Sequence, residues 1–266
     1  MCTWYFPCLM HSCQVDFINK ATEGLTTPLM IDFSQRNCEP ELMDSPESSG
    51  QLMHNTYLQF SSINRLLTPC RRALRKHMLK LMSTDRTRNW SLLDIGAGGC
   101  DLAIWLIETC RKEQISLDIT CIDQDSRAIA FASPRLASYP EIKLIKGDAL
   151  ELLKEAPQAN WDFVFSNHFL HHLSNIEIAI CLEQVVRVCR EQCVMSDLVR
   201  SRLWYILYSL YAGVFLRNSF CYEDGRHSIH KSLTIIEASR LIAEHPSLSG
   251  LSVKPSFPGH LVFLLR

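Results

Sequence analysis

The sequence predicts an α/β protein: a doubly wound, seven-stranded sheet, mostly parallel, closing on an antiparallel terminal strand pair, with a helical cover in front of it. Three observations predict it. From Trp90 onward, short apolar strands alternate with helical segments, as in a parallel sheet covered on both faces. The first strand, 91–95, runs into a turn containing Gly96, Gly98 and Gly99 and then directly into a helix. Four successive strands end on or beside polar residues, Asp94, Asp123, Asp148 and Asn167, and open parallel sheets bind ligands at the carboxyl ends of their strands.

The elements follow in order. Residues 1–49 read as an N-terminal extension, without clear periodicity and poorly ordered up to about residue 40. Met30 is an alternative start, because the chain turns acidic after it. Residues 50–89 read as a helical cover: Leu52, Tyr57, Phe60, Ile63, Leu66 and Leu67 recur at three- and four-residue steps, Pro69 breaks the run, and a second helix covers 71–82. In the main domain, 90–266, strands at 91–95, 117–122, 142–146, 162–166 and 193–197 alternate with helices at 101–113, 125–133, 149–155, 175–190 and 201–216. Asp125 and Ser174 are suitable N-caps. Residues 201–231 form a lid insertion. After a helix from Ser232 to Ala243, strands at 250–254 and 260–265 are joined by a short connector, the arrangement of antiparallel neighbours.

Composition narrows the function classes. The chain has 266 residues and a formal net charge of −1, so there is no strong nucleic-acid signal; the one basic run, Arg71 to His77, reads first as a solvated helix face. Twelve cysteines are scattered without a CxxC pair, which fits reduced, buried thiols in a cytoplasmic protein better than a disulfide framework. Cys2, Cys8, His11 and Cys13 crowd the start without the spacing of a metal site. The first residues lack the basic and apolar regions of an export signal. The apolar run 203–216 is shorter than the ~20 residues a membrane span needs.

Each candidate residue has a chemical and a plainer structural reading. Gly96 and Gly98 leave room for a ligand against the backbone, although tight strand-to-helix turns use glycine for steric reasons alone. Position 101 is Asp, so the dinucleotide fingerprint is incomplete, and no P-loop motif occurs. Asp123 can accept both hydroxyls of a ribose. Asp148 can accept from an exocyclic amine of a nucleobase or simply cap the helix after it. Asn167 lies at the same sheet edge, followed by His168, His171 and His172, which can hold a substrate or take a proton at neutral pH or pack structurally. A zinc site on these three is disfavoured, since they crowd one loop. Asp197 and Arg200 face the same edge, lining an acceptor pocket or forming caps and salt bridges.

On these residues the chain resembles the class I S-adenosylmethionine-dependent methyltransferases, a Rossmann-like family, over about Trp90 to Arg266. The family's first motif, acid-x-G-x-G-x-G, corresponds to Asp94, Gly96 and Gly98, with Cys100 where the third glycine belongs. By that resemblance, Asp94, Gly96, Ala97 and Gly98 contact the methionyl end of S-adenosyl-L-methionine. Asp123 holds the ribose with Gln124 beside the adenosine, Asp148 and Ala149 meet the adenine, and the fourth motif runs from Asp162 to Asn167. The stretch from Phe169 to Leu173 is similar to that of quinone-biosynthesis-type enzymes.

The resemblance implies methyl transfer (EC 2.1.1.-) to a small-molecule acceptor, with a phenolic, quinol or polyketide-like compound as the leading expectation. His171 or His172 is the expected base and Asp197 the reserve. Trp204, Tyr205, Tyr208, Tyr211 and Phe215 form either core or an aromatic lid. The alternatives are a methyltransferase acting on RNA or on a carrier-bound substrate, a non-catalytic binding protein on the same fold, and a nicotinamide oxidoreductase. No metal is expected, and the oligomeric state is not readable from the sequence.

Overall fold

The computed structural model describes residues 32–37, 39–45 and 47–265. Most of the expected N-terminal extension, including Met30, Cys2, Cys8, His11 and Cys13, lies outside the described residues.

Seven strands form one sheet: β1 (Asn89–Ile95), β2 (Ser116–Asp123), β3 (Ile142–Lys146), β4 (Trp161–Asn167), β5 (Cys189–Leu198), β6 (Leu251–Ser256) and β7 (His260–Leu265), in the order β3-β2-β1-β4-β5-β7-β6. β7 alone is reversed, running antiparallel to both β5 and β6. The final two strands do pair antiparallel, but it is the last that lies inside. The burial patterns give the reason: β7 is buried over its first five residues, whereas β6 has an exposed stretch and tolerates the sheet edge. β5 starts at Cys189, earlier than the sequence predicts, because Cys189 already pairs with Trp161.

The helices cover both faces. In α1 (Gly50–Leu66), Met53, Tyr57 and Ile63 turn inward. After Pro69 comes α2, a continuous run through Cys70–Leu74, a π turn at Arg75–Leu79 and Lys80–Met82. α3 (Asp101–Glu113) buries Leu102, Leu106, Ile107 and Cys110, spaced for one face against the sheet. α4 (Ser126–Ala132), α5 (Ala149–Glu155) and α6 (Asn175–Val188) are capped by the side chains of Asp125, Asp148 and Ser174. α7 (Arg202–Phe215) and α8 (Cys221–Lys231) pack together over the carboxyl edge of the sheet, and α9 (Ile235–Glu244) leads into β6. No described helix is long and apolar enough to cross a membrane.

The chain before α1 crosses the same edge. The Asp224 carboxylate on α8 accepts the backbone N–H groups of Leu42 (2.8 Å) and Met43 (2.9 Å). Arg36 donates to the carbonyls of Lys231 and Leu173, and Arg200 donates to the carbonyl of Phe33. Residues 32–37 and 39–45 are thereby strapped across the sheet edge, which brings Glu41 into the interior.

Candidate active site

The carboxyl edge of the sheet, the strap, α1 and the α7–α8 pair enclose a cavity of about 540 Å³. It is bounded at one end by the glycine turn after β1. Gly96 and Gly98 adopt φ of +67° and +51°, conformations that L side chains rarely take. A Cβ on Gly96 would stand 2.9 Å from the Phe169 ring, whereas one on Gly98 would meet nothing within 4 Å. The first glycine is therefore required by packing, and the second leaves the turn open. Cys100 adopts φ +56° and is fully buried, so the position of the family's third glycine keeps a left-handed turn with its side chain in the core.

Asp123 closes this end. Its Oδ2 accepts the N–H of Gly98 at 2.8 Å and its Oδ1 that of Asp125 at 2.9 Å. Asp94, Asp101 and Asp123 all line the cavity. Burial pushes all three carboxyls above their ordinary range; for Asp94 the neighbouring Asp101 and Asp123 add to it, while backbone N–H groups partly offset it at Asp123. Asn64 bridges Asp101 and Asn167, donating to Asp101 Oδ1 at 3.1 Å and accepting from Asn167 at 3.0 Å. Asp101 Oδ2 and Asn167 Oδ1 remain buried without a protein partner. Buried acceptors without donors are costly, and a cation among these carboxyls offsets the cost of ionising them in a buried place. This end of the cavity suits a positively charged, donor-bearing ligand.

The remaining expected cofactor residues, Ala97, Gln124, Asp148 and Ala149, also line the cavity. Asp148 Oδ1 caps α5 through the N–H groups of Leu150 and Glu151, so the capping role foreseen for it is filled. Asp162 lies at the opposite end of β4, paired with Arg88 and Arg190.

The other end of the cavity carries the histidines. His171 is buried, with Nδ1 2.7 Å from Asp197 Oδ1 and Nε2 3.6 Å from Glu41 Oε1. Burial opposes its charge, but Asp197 and then Glu41 outweigh that and raise its pKa. Burial likewise opposes ionisation of Asp197, and the His171 charge nevertheless holds that carboxyl well below its usual range. His172 lines the cavity with its side chain still exposed, and its pKa is lowered to about 4, first because surrounding protein displaces part of its water and then by the His171 charge. Glu41 also accepts from Ser228 at 2.9 Å and lies 3.4 Å from Lys231 Nζ. Asp197 and Arg200 do not line the cavity. Asp197 stands behind His171, and Arg200 ties the strap and Glu237 together, the salt-bridge alternative of its two readings.

His168, at φ +58°, approaches His260 with Nε2 atoms 2.7 Å apart. His260 Nδ1 meets the Pro258 carbonyl, so it carries the proton there and its Nε2 accepts from His168. Burial lowers both pKa values, that of His260 to about 4. Trp204, Leu207, Tyr208, Tyr211 and Ile229 supply apolar wall between these polar groups. Glu41, Asn64, Asp101 and His260 are site residues that sequence reasoning missed. Asp101 stands one position past the glycine turn and was legible there; the others come from distant segments.

Residues 92–192 match the profile of a methyltransferase domain. Over that stretch the chain is similar to a methyltransferase domain. The matched stretch holds the glycine turn, Asp123, Asp148, Asn167 and the histidine loop, and ends within β5.

Among solved structures, the plantazolicin methyltransferase BamL, determined with a desmethyl plantazolicin analogue and SAH, is similar at a TM-score of 0.59 and 14% identity, over 95% of this chain and 98% of that one. The related BpumL gives 0.53 and 17%, over 81% and 95%. Human N-acetylserotonin methyltransferase with SAM gives 0.55 and 15%, over 96% of this chain and 66% of the longer human one. These likenesses establish the fold, including the seven-stranded mixed sheet. Comparison with curated proteins finds no match.

Proposed function

We propose that this methyltransferase domain transfers the methyl group of S-adenosyl-L-methionine to a small-molecule acceptor, a phenolic, quinol or polyketide-like compound, by O- or C-methylation. The observation that carries the reading is the pair of unpartnered buried acceptors, Asp101 Oδ2 and Asn167 Oδ1, beside three carboxyls raised chiefly by burial at the glycine turn. An amino-acid ammonium and a sulfonium meet that demand; a nicotinamide dinucleotide, with its pyrophosphate, would face repulsion there.

The chain's own residues then take these roles. Asp94, Gly96, Ala97, Gly98, Asp101 and Asn167 hold the methionyl end, Asp123 and Gln124 the ribose side, and Asp148 and Ala149 the adenine. When bound, S-adenosyl-L-methionine supplies an electrophilic methyl on a sulfonium whose charge is lost on transfer. Because that step needs little covalent help from protein, alignment of the partners is the chief contribution. His172, neutral at ordinary pH and facing the cavity, accepts the acceptor's hydroxyl proton as the O–C bond forms and the S–C bond breaks. His171, clamped between Asp197 and Glu41, positions the acceptor end. The aromatic and aliphatic wall from α7 and α8 suits a flat apolar body behind a polar head.

The test is methyl transfer from label-bearing S-adenosyl-L-methionine to a panel of phenols, quinols and polyketide-type acceptors. Transfer to at least one, lost in His172→Ala while cofactor binding persists, supports the reading. Transfer only to RNA or protein, or none in the presence of bound cofactor, contradicts it.

A further inference from the structure

Three segments line one side of the cavity: Leu67 and Thr68 just after α1, Trp204, Leu207 and Tyr211 of α7, and Pro258 of the β6–β7 turn. Contacts bind the segments to one another. Arg72 donates to the Phe257 carbonyl, the Trp204 and Phe257 rings meet at 5.5 Å, and Gln59 donates to the Arg217 carbonyl.

Two properties of this face are unusual together. First, its outward surface is apolar. Leu203 (60% exposed), Leu207, Leu210 (46%) and Val214 recur at helical steps along α7, and Phe257 (72%) stands beside its start. No charged residue falls between Arg202 and Arg217. Second, the three segments that build it carry no acid of their own. None of the chain's 28 acidic residues lies in 48–84, 198–222 or 245–265, although the whole chain is slightly acidic. The same segments hold Arg65, Arg72, Arg75 and Lys76, all exposed on α1 and α2, and exposed Arg217 just past the end of α7. Arg72 of the basic run noted in the sequence reaches the Phe257 carbonyl, so this solvated run adjoins the start of α7.

We propose that this face docks on an anionic lipid surface, with α7 lying in the headgroup layer, the basic groups on lipid phosphates and this side of the cavity toward the bilayer. An amphipathic surface with aliphatic and aromatic side chains ringed by Arg and Lys is the arrangement that holds a helix in a membrane interface. The aliphatic ridge distinguishes a bilayer from RNA, which offers phosphates but little to bury leucines against. Resting on the methyl-transfer reading above, the acceptor is an amphiphile that passes from the lipid layer into the cavity, polar head first, toward His172.

The test uses the full chain with vesicles of phosphatidylcholine alone and of phosphatidylcholine with phosphatidylglycerol in equal parts, followed by sedimentation without cofactor or acceptor. Binding to the anionic vesicles should be tighter by at least about tenfold and should weaken with salt, several basic side chains acting together. The double variants Leu203→Glu/Leu210→Glu and Arg75→Glu/Lys76→Glu should each lose about tenfold or more of it. Calorimetric titration of both variants with S-adenosyl-L-methionine shows whether they remain folded, and separates failure of docking from failure of the methyltransferase reading. The proposal is overturned by absent vesicle binding, by equal binding of folded variants, by a concentration-dependent dimer that those variants dissolve, or by tight binding of an RNA oligomer in place of vesicles.

Discussion

The Asp197 carboxylate holds His171 at two points: Oδ2 accepts its backbone N–H at 2.7 Å, and Oδ1 lies 2.7 Å from its Nδ1. The proton is therefore kept on Nδ1 and Nε2 is aimed at Glu41. Asp197→Asn preserves the shape but removes the charge that supports the imidazolium and leaves the tautomer unfixed. The expected result is a fall in kcat of about a hundredfold or more with little change in cofactor affinity, the pattern of a lost positioning group. Equal losses in cofactor binding would show that the site had collapsed instead.

The pH profile separates the two neighbouring histidines. His172 is depressed to about 4, so it stays deprotonated well below the ordinary histidine range. The acid limb of kcat/KM should accordingly lie nearer 4 than the ~6.5 of a free imidazole. His172→Ala should abolish that limb along with most of the turnover on a hydroxyl acceptor. An acid limb near 6.5 in the native enzyme would remove His172 as the base.

Stability carries its own pH signature. His168 and His260 have lowered pKa values, so the unfolded chain takes up protons first and stability falls as pH drops below about 6.5 toward 4. His171 acts in the opposite sense. Its raised pKa contributes stability that is complete below about 6.5 and lost as pH rises through the folded value. Asp197, held low, contributes above about 4 and loses its share only in stronger acid. Urea midpoints measured against pH should show His260→Gln flattening the fall between 6.5 and 4, and His171→Gln reducing stability most on the acid side of neutrality.

Much of the fold was legible because its signals are local. The apolar run before Gly96, the acids ending successive strands, and Asp125 and Ser174 as caps are all read within a few residues. The acceptor end was less so. Glu41 reaches His171 only because Asp224 captures the backbone at Leu42 and Met43, and α8 is a largely polar helix that turns Asp224, Ser228 and Lys231 inward beside Cys221 and Ile229, so it shows no clear apolar stripe. Burial of those polar groups is determined by partners about 180 residues away. The order of the last two strands was similarly hidden, since pairing alone does not say which of them joins β5.

The glycine turn offers a sharp steric test. Gly96→Ala combines a left-handed φ with a Cβ 2.9 Å from the Phe169 ring. It should destabilise the fold by about 1–3 kcal/mol and displace Phe169. Phe169→Ala in the same chain should recover part of the affinity for cofactor while leaving the backbone strain. Wild-type stability in Gly96→Ala would mean the turn adopts another conformation in solution.

Calorimetric titration tests most directly whether the polar end of the cavity holds S-adenosyl-L-methionine. The native chain should bind S-adenosyl-L-methionine and S-adenosylhomocysteine and show no heat with NADH. Asp123→Ala should weaken both adenosyl ligands by about 1–3 kcal/mol, the cost of losing a good buried polar contact. Absence of adenosyl binding by a folded native chain, or unchanged affinity in Asp123→Ala, would contradict the account.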